Sequence, residues 1–460
     1  MMCVLFALVP GHFCYAQTVT GGSTEEAYSP SVSAPASADE TSAPEAASPE
    51  SWSLHGQLTN VTQYHPSFPS AFRGQNSLNS RDRTAETLDL TLFAGIRLWQ
   101  GAEVYVNPEL DQGFGLSNTL GVAGFPSAEG YKVGAYTPYG RIQRLFLRQV
   151  IDLGSAEQTV EPAANQLGGS HTADNVILSV GKFSVVDVFD TNSYAHDPRA
   201  DFLNWAIVEA GAFDYAADAW GYTYGASAEW TQDWWAVRGG LFDLSVIPNG
   251  RRLEEDFSQY AVIGELEERH ELLGHPGKLK LLGFVDRGRM ANYSDAVRLG
   301  QQMGTTPDVA LVRHYSSKPG IALNLEQEIT PDVGAFARAS MNDGDKEAFE
   351  FTEINRSISG GLSVKGNAWN RPDDTFGVAG AINALSDAAR SYFAAGGLGI
   401  LIGDGQLPHY GLEKIAEAYY SWQIAKPFAL SADYQYVTNP AYNRDRGPVS
   451  VFGLRVHAEF

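Results

Sequence analysis

From residue 52 onward, apolar residues recur at every second position. In "ETLDLTLFAGIRLW", Leu88, Leu90, Leu92, Ala94, Ile96 and Leu98 share one face, while Asp89, Thr91, Phe93, Gly95 and Arg97 share the other. In "AEVYVNPEL", Val104 and Val106 oppose Glu103, Tyr105 and Asn107. In "FALSADYQYV", Phe428, Leu430, Ala432, Tyr434 and Tyr436 oppose Ser431, Asp433 and Gln435. A helix would scatter such residues around its axis, whereas a strand sends neighbours to opposite faces. The alternation predicts about sixteen strands. They begin near Trp52, Glu86, Ala102, Arg141, Asn175, Ala219, Trp234, Phe257, Lys278, Gly320, Val333, Asn355, Thr375, Leu412, Phe428 and Val449.

The connections alternate in length. "QG" at 100, "TQD" at 231, "TPD" at 330 and "AK" at 425 are tight, and each is followed by a long irregular stretch. The stretch 154–174 is the exception, long where the parity asks for a tight turn. A sandwich gives no reason for such parity, but a transmembrane barrel does, with short periplasmic turns and long outer loops. The predicted fold class is all-β: a transmembrane antiparallel β-barrel of about sixteen strands, with short periplasmic turns and long extracellular loops. An even strand number places both termini on the periplasmic side. In a bilayer the apolar phase faces lipid and the polar phase faces the lumen. That polar phase carries Asp89, Arg97, Glu103, Arg144, Arg148, Arg338, Asp433, Arg455, His457 and Glu459. A dry core would pay heavily in desolvation for so many charges, and a wet lumen would not.

Composition agrees with strands and turns, with 47 Gly, 21 Tyr and 23 Phe in 460 residues. The net charge of −22 and the lack of any Lys/Arg-rich run argue against nucleic acid as a partner. The acidity fits either a solvated surface or acidic loops bridged by divalent cations at a membrane. No run of about 18 apolar residues predicts a transmembrane helix, which leaves a barrel open. Residues 1–16, apolar and ending in Ala16, read as a signal peptide, although no Lys or Arg precedes the run. Both cysteines, Cys3 and Cys14, fall inside it. Residues 17–50, rich in Ser, Thr, Pro, Ala and Glu, read as a flexible tether, leaving 51–460 as the barrel.

Candidate chemistry concentrates in "RIQRLFLRQVIDL", 141–153. Leu145, Leu147, Ile151 and Leu153 take the lipid phase, and Arg144, Phe146, Arg148 and Asp152 take the lumen phase. Two guanidiniums around an aromatic ring suit a sugar, whose hydroxyls take planar donors and whose C–H face takes an aromatic surface. The same residues also suit inward ion pairs that brace the barrel, and one residue can serve both roles. Asp89, Arg97, Glu103, Asp433 and Arg455 join them as expected pore-lining groups. The loop at 185–218 carries Phe189, Phe202, Trp205, Phe213 and Tyr215, too apolar a set for free solvent, and is expected to fold inward and narrow the pore. Asp187, Asp190, His196, Arg199, Asp201 and Trp205 are its candidate constriction residues. "NDGDKE" at 342–347 lacks the EF-hand pattern and reads as an acidic outer turn. "GGLGILIGDG" lacks phosphate-loop spacing. No G-x-S-x-G, H-E-x-x-H or C-x-x-C occurs, so no catalytic residue, metal or cofactor is expected. An outer-membrane lipase or a soluble β lectin is the rival from another class.

Four stretches carry a resemblance: "YTPYGRIQRLFLRQVIDLG", "VGKFSVVDVFDTNSYAHDPRADFLNW", "LIGDGQLPHYGLEKIAEAYYSW" and "DYQYVTNPAYNRDRGPVSVFGLRVHAEF". They resemble the OprB-type carbohydrate-selective porins, in family order from about Trp52 to Phe460. The resemblance implies a sixteen-stranded barrel in a Gram-negative outer membrane that passes monosaccharides such as glucose by diffusion. It also implies an arginine-bearing constriction, which maps onto Arg144 and Arg148. A general or anion-selective porin is the alternative within this architecture. The expected partners are monosaccharides, outer-membrane lipid and lipopolysaccharide, and the barrel-assembly machinery, which would read Phe460 at the end of an alternating last strand. Monomer and trimer are both left open.

Overall fold

The computed structural model describes residues 49–129 and 134–460. The signal peptide 1–16, and the tether through residue 48, lie outside the described residues. The described chain forms sixteen antiparallel strands, each paired with its neighbours in sequence, and β1 pairs with β16 to close the barrel. The strands are β1 Trp52–His65, β2 Arg83–Trp99, β3 Ala102–Gly113, β4 Ala135–Val160, β5 Gly169–Phe183, β6 Thr223–Gln232, β7 Trp235–Asp243 and β8 Tyr260–Leu272. They continue with β9 His275–Met290, β10 His314–Thr330, β11 Val333–Asn342, β12 Arg356–Gly366, β13 Arg371–Ala384, β14 Glu413–Ala425, β15 Phe428–Thr438 and β16 Val449–Glu459. The starts fall within six residues of the expected positions, farthest at Ala135, Gly169 and His314.

The two phases separate as the alternation predicts. Leu92, Ile96, Leu98, Leu145, Ile151, Phe452 and Leu454 are exposed on the outer surface, while Asp89, Thr91, Glu103, Tyr105, Asp433 and Arg455 are buried inside. An outer surface this apolar suits lipid, and closure leaves no unpaired strand edge in the hydrocarbon. No helix among the described residues is long and apolar enough to cross a membrane. Exposed Trp52, Trp99, Trp230, Trp234, Trp369, Trp422 and Phe460 all lie beside the short turns and ring that rim with aromatics. Amphipathic rings favour such an interfacial position.

The 154–174 exception dissolves. β4 and β5 stay paired from Leu145↔Lys182 out to Val160↔Gly169, so the connection itself is only 161–168. This stretch reads as irregular because it runs past the membrane-spanning part of the sheet. There the β4 side chains from Asp152 to Thr159 are exposed whichever face they take, and need not alternate. The register shifts twice, between Asp152 and Gly154 and between Gly154 and Glu157.

Three of the long connections fold inward and build a core inside the barrel. The segment 184–222, with the short helix α1 (Trp205–Val208), buries Phe189, Phe202, Trp205, Phe213 and Tyr215. Val122, Ala123 and Phe125 come from the β3–β4 connection, and Phe349, Phe351 and Ile354 from the β11–β12 connection. Trp205 stacks on Phe125 at 5.1 Å and on Phe351 at 4.7 Å, which ties the three together.

Candidate functional site

Many inward charges of the wall hold this inner loop. Arg338 on β11 bonds Asp190 Oδ1 at 3.1 Å and the carbonyls of Asp190, Ala195 and Ile207. Arg455 on β16 donates to the carbonyls of Pro198, Ala200 and Asp201. Glu417 on β14 accepts from the backbone N–H groups of Leu203 and Asn204. Asp433 is buried beside them and accepts from Gln435. Buried backbone polar groups must be paired, and these side chains supply the partners that a strand ladder gives elsewhere.

The wall on β2–β4 is different. Along β2–β4 the side chains of Arg97, Arg141, Arg144 and Arg148 keep partial exposure, while Asp89, Glu103, Glu109 and Asp111 are buried beside them. The register aligns Asn107 with Arg144, Tyr105 with Phe146 and Glu103 with Arg148 across β3 and β4. Arg144 grips Asp187 through Nε at 2.8 Å and Nη2 at 2.6 Å. The Ser184 backbone N–H also donates to Asp187, at 2.9 Å, so the carboxylate is fixed from two sides. Such a bidentate pair is planar and charge-assisted. Arg148 donates to Glu103 at 2.7 Å, and Arg97 bonds the other oxygen of the same carboxylate at 3.1 Å. Between the two arginines Phe146 stacks on Tyr105, with ring centroids 5.3 Å apart. Phe183 continues this aromatic stripe at 5.9 Å. Arg144 also lies 4.9 Å from the Tyr222 ring.

Arg199 reaches from the inner loop toward the wall and pairs with Glu129 at 3.1 Å, with Asp89 and Asp197 each at 3.9 Å. Burial works to lower this guanidinium, but Glu129, Asp89 and Asp197 outweigh it and hold it well above its ordinary value. Burial, helped by Asp197, pushes the Asp201 carboxyl up to about 6. Burial and Arg338 lower the His196 imidazole, which favours its neutral form.

The sequence-derived candidates thus divide. Arg97, Glu103, Arg144, Phe146, Arg148 and Asp187 form one cluster, and Asp89 and Arg199 form a second beside it. Asp190, Trp205, Asp433 and Arg455 are buried where the inner loop meets the wall or other loops. Asp201 holds the backbone N–H groups of His196 and Asp197. Asp152 is exposed where β4 leaves the sheet and accepts from the Thr172 N–H at 2.9 Å. Sequence reasoning did not single out Tyr105, Asn107, Glu129 or Tyr222 as site residues. The inward phase of "AEVYVNPEL" already placed Tyr105 and Asn107, whereas Glu129 and Tyr222 lie in irregular segments with no periodic signal.

The OprB family description, carbohydrate-selective porin, matches residues 75–460. No curated protein matches this chain. Among solved structures, the high-pH structure of Pseudomonas putida OprB is similar at 17% identity and a TM-score of 0.67, over 89% of this chain and 94% of that one. The outer membrane channel DcaP of Acinetobacter baumannii is similar at 11% identity and a TM-score of 0.49, over 89% and 97%. With the closed barrel and the matched span together, the chain belongs to the OprB family of carbohydrate-selective porins.

Proposed function

We propose that this chain passes monosaccharides such as glucose, and related small polyols, by passive diffusion. The path runs through a water-filled channel past Arg144, Phe146 and Arg148. The observation that carries this reading is the row itself: two partly exposed arginines flank a ring stacked on Tyr105. A sugar hydroxyl both donates and accepts, and an arginine–carboxylate pair offers both functions side by side. The aromatic stripe takes the C–H face of the ring. No chemical step is needed, and a weak site suits transport because tight binding slows exit.

Charge compensation favours a neutral solute over an anion. Arg144 pairs with Asp187, Arg97 and Arg148 share Glu103, and Lys182 and Arg141 share Asp218, while Asp89, Glu109 and Asp111 add three more carboxyl groups to the same wall. An anion-selective pore would present uncompensated guanidiniums.

The family and the barrel imply the bacterial outer membrane. Within it, the short-turn rim and both chain ends face the periplasm in this reading. The long loops then meet lipopolysaccharide, and Phe460 meets the assembly machinery. Liposome swelling tests the solute preference. Glucose is expected to enter faster than a zwitterion of equal size. Equal rates contradict the sugar preference.

A further inference from the structure

The hairpin that continues β4 and β5 ends in an unexpected place. Past Asp152↔Asn175 the pairing shifts, and the chain bends at Gly154 and Ser155, whose φ angles are 97° and 84°. The tip is a closed turn in which Ala163 and Gln166 exchange backbone hydrogen bonds of 3.0 Å. It does not point away from the barrel. The Asn165 and Asn107 amides bond each other reciprocally at 2.8 and 3.1 Å. The Leu167 N–H donates to the Tyr105 hydroxyl at 3.0 Å, and Leu167 is buried. Arg97 Nη2 donates to the Gly168 carbonyl at 3.1 Å. Glu50 closes the set by exchanging hydrogen bonds with Gly168, its backbone donating at 3.0 Å and its carboxylate accepting at 2.8 Å.

Asn107 and Tyr105 are the inward residues opposite Arg144 and Phe146. A tip that reaches them has folded back through the short-turn mouth to the level of the arginine row. We propose that residues 161–168 form a second constriction element, entering from the short-turn side and narrowing the sugar path through Asn165 and Leu167. The inner loop 184–222 narrows the lumen from the other end, so solute passes between two elements that enter from opposite mouths. The tip reaches the edge of the row. The Tyr105 hydroxyl that takes the Leu167 N–H donates to Glu103 at 2.6 Å, and Arg148 approaches it at 3.3 Å. Arg144 and Arg148 are themselves held by Asp187 and Glu103, so Leu167 and Asn165 act on the path as obstacles. This inference rests on the proposed sugar path but is tested separately from it.

The test replaces 161–168 with an Asn-Gly turn, which keeps β4 and β5 paired. The full chain is then reconstituted in liposomes and planar bilayers. Conductance is expected to rise about twofold or more, since a pore's permeability follows its narrowest diameter and lining. Disaccharide entry is expected to quicken, while glucose keeps its advantage over the zwitterion because Arg144 and Arg148 are intact. Unchanged conductance with an unchanged size limit overturns the proposal. Lack of glucose preference in the unaltered protein counts against the sugar path instead. Should the shortened chain fail to insert, the double variant Asn107→Cys/Asn165→Cys decides. A cross-link on oxidation of the membrane-inserted barrel supports a tip held in the lumen, and its absence overturns it.

Discussion

Replacing Arg338 with alanine is expected to open the channel and weaken the protein together. Its side chain is almost wholly buried and makes four hydrogen bonds to the inner loop, one to the Asp190 carboxylate and three to backbone carbonyls. Removing one partner of a buried ion pair leaves the other charge uncompensated, at a cost of about 3–5 kcal/mol. Asn324 still donates to Asp190 at 2.7 Å, but a neutral amide does not neutralise a carboxylate. The loop can relieve the penalty by leaving the wall, which hydrates Asp190. Single-channel recordings are therefore expected to show larger and noisier conductance, with a lower thermal unfolding midpoint. Arg338→Lys should recover part of the stability and little of the geometry, because an ammonium cannot reach three carbonyls in a plane. An alanine variant with unaltered conductance would mean that other contacts alone keep the loop in the lumen.

Deleting Phe460 is expected to lower the yield of membrane-inserted barrel far more than it alters the conductance of what inserts. The Phe460 backbone extends the closing ladder, donating to Gly56 at 2.9 Å and accepting from it at 2.8 Å. Its ring lies directly over Gly56, where a Cβ would sit 2.3 Å from the ring. The last residue thus completes the β1–β16 seam and places an exposed aromatic at the short-turn rim. Gly56→Val should displace the ring and reproduce much of the assembly defect with Phe460 present. Membrane yield measured by heat-modifiable gel mobility separates the outcomes, and normal yield of the deletion counts against this role.

The barrel was legible because two solvents act on each strand. Lipid outside and water or polar loop inside impose a period of two, and Leu88 to Leu98 against Asp89 to Arg97 is enough to show it. The inward loop was legible for a related reason: Phe189, Phe202, Trp205, Phe213 and Tyr215 have no stable place in open water. The destination of the inward charges was not legible. Alternation says that Arg338, Arg455 and Arg144 share the lumen phase, but it carries no information on which of them meets a loop carbonyl. Only the path of 184–222 decides that, and that path depends on contacts more than a hundred residues apart, such as Arg338 with Asp190. The β4–β5 hairpin misled for the opposite reason. Outside the bilayer nothing enforces alternation, so paired strands resembled an irregular connection.

The central claim is that a neutral sugar is met at the Arg144–Phe146–Arg148 row. Glucose added to one side of a planar bilayer containing the reconstituted chain tests it most directly. The account predicts brief, concentration-dependent interruptions of the ionic current that disappear in the Arg144→Ala/Arg148→Ala variant. Interruptions that persist unchanged in that variant, or none at any glucose concentration in the unaltered protein, would contradict it.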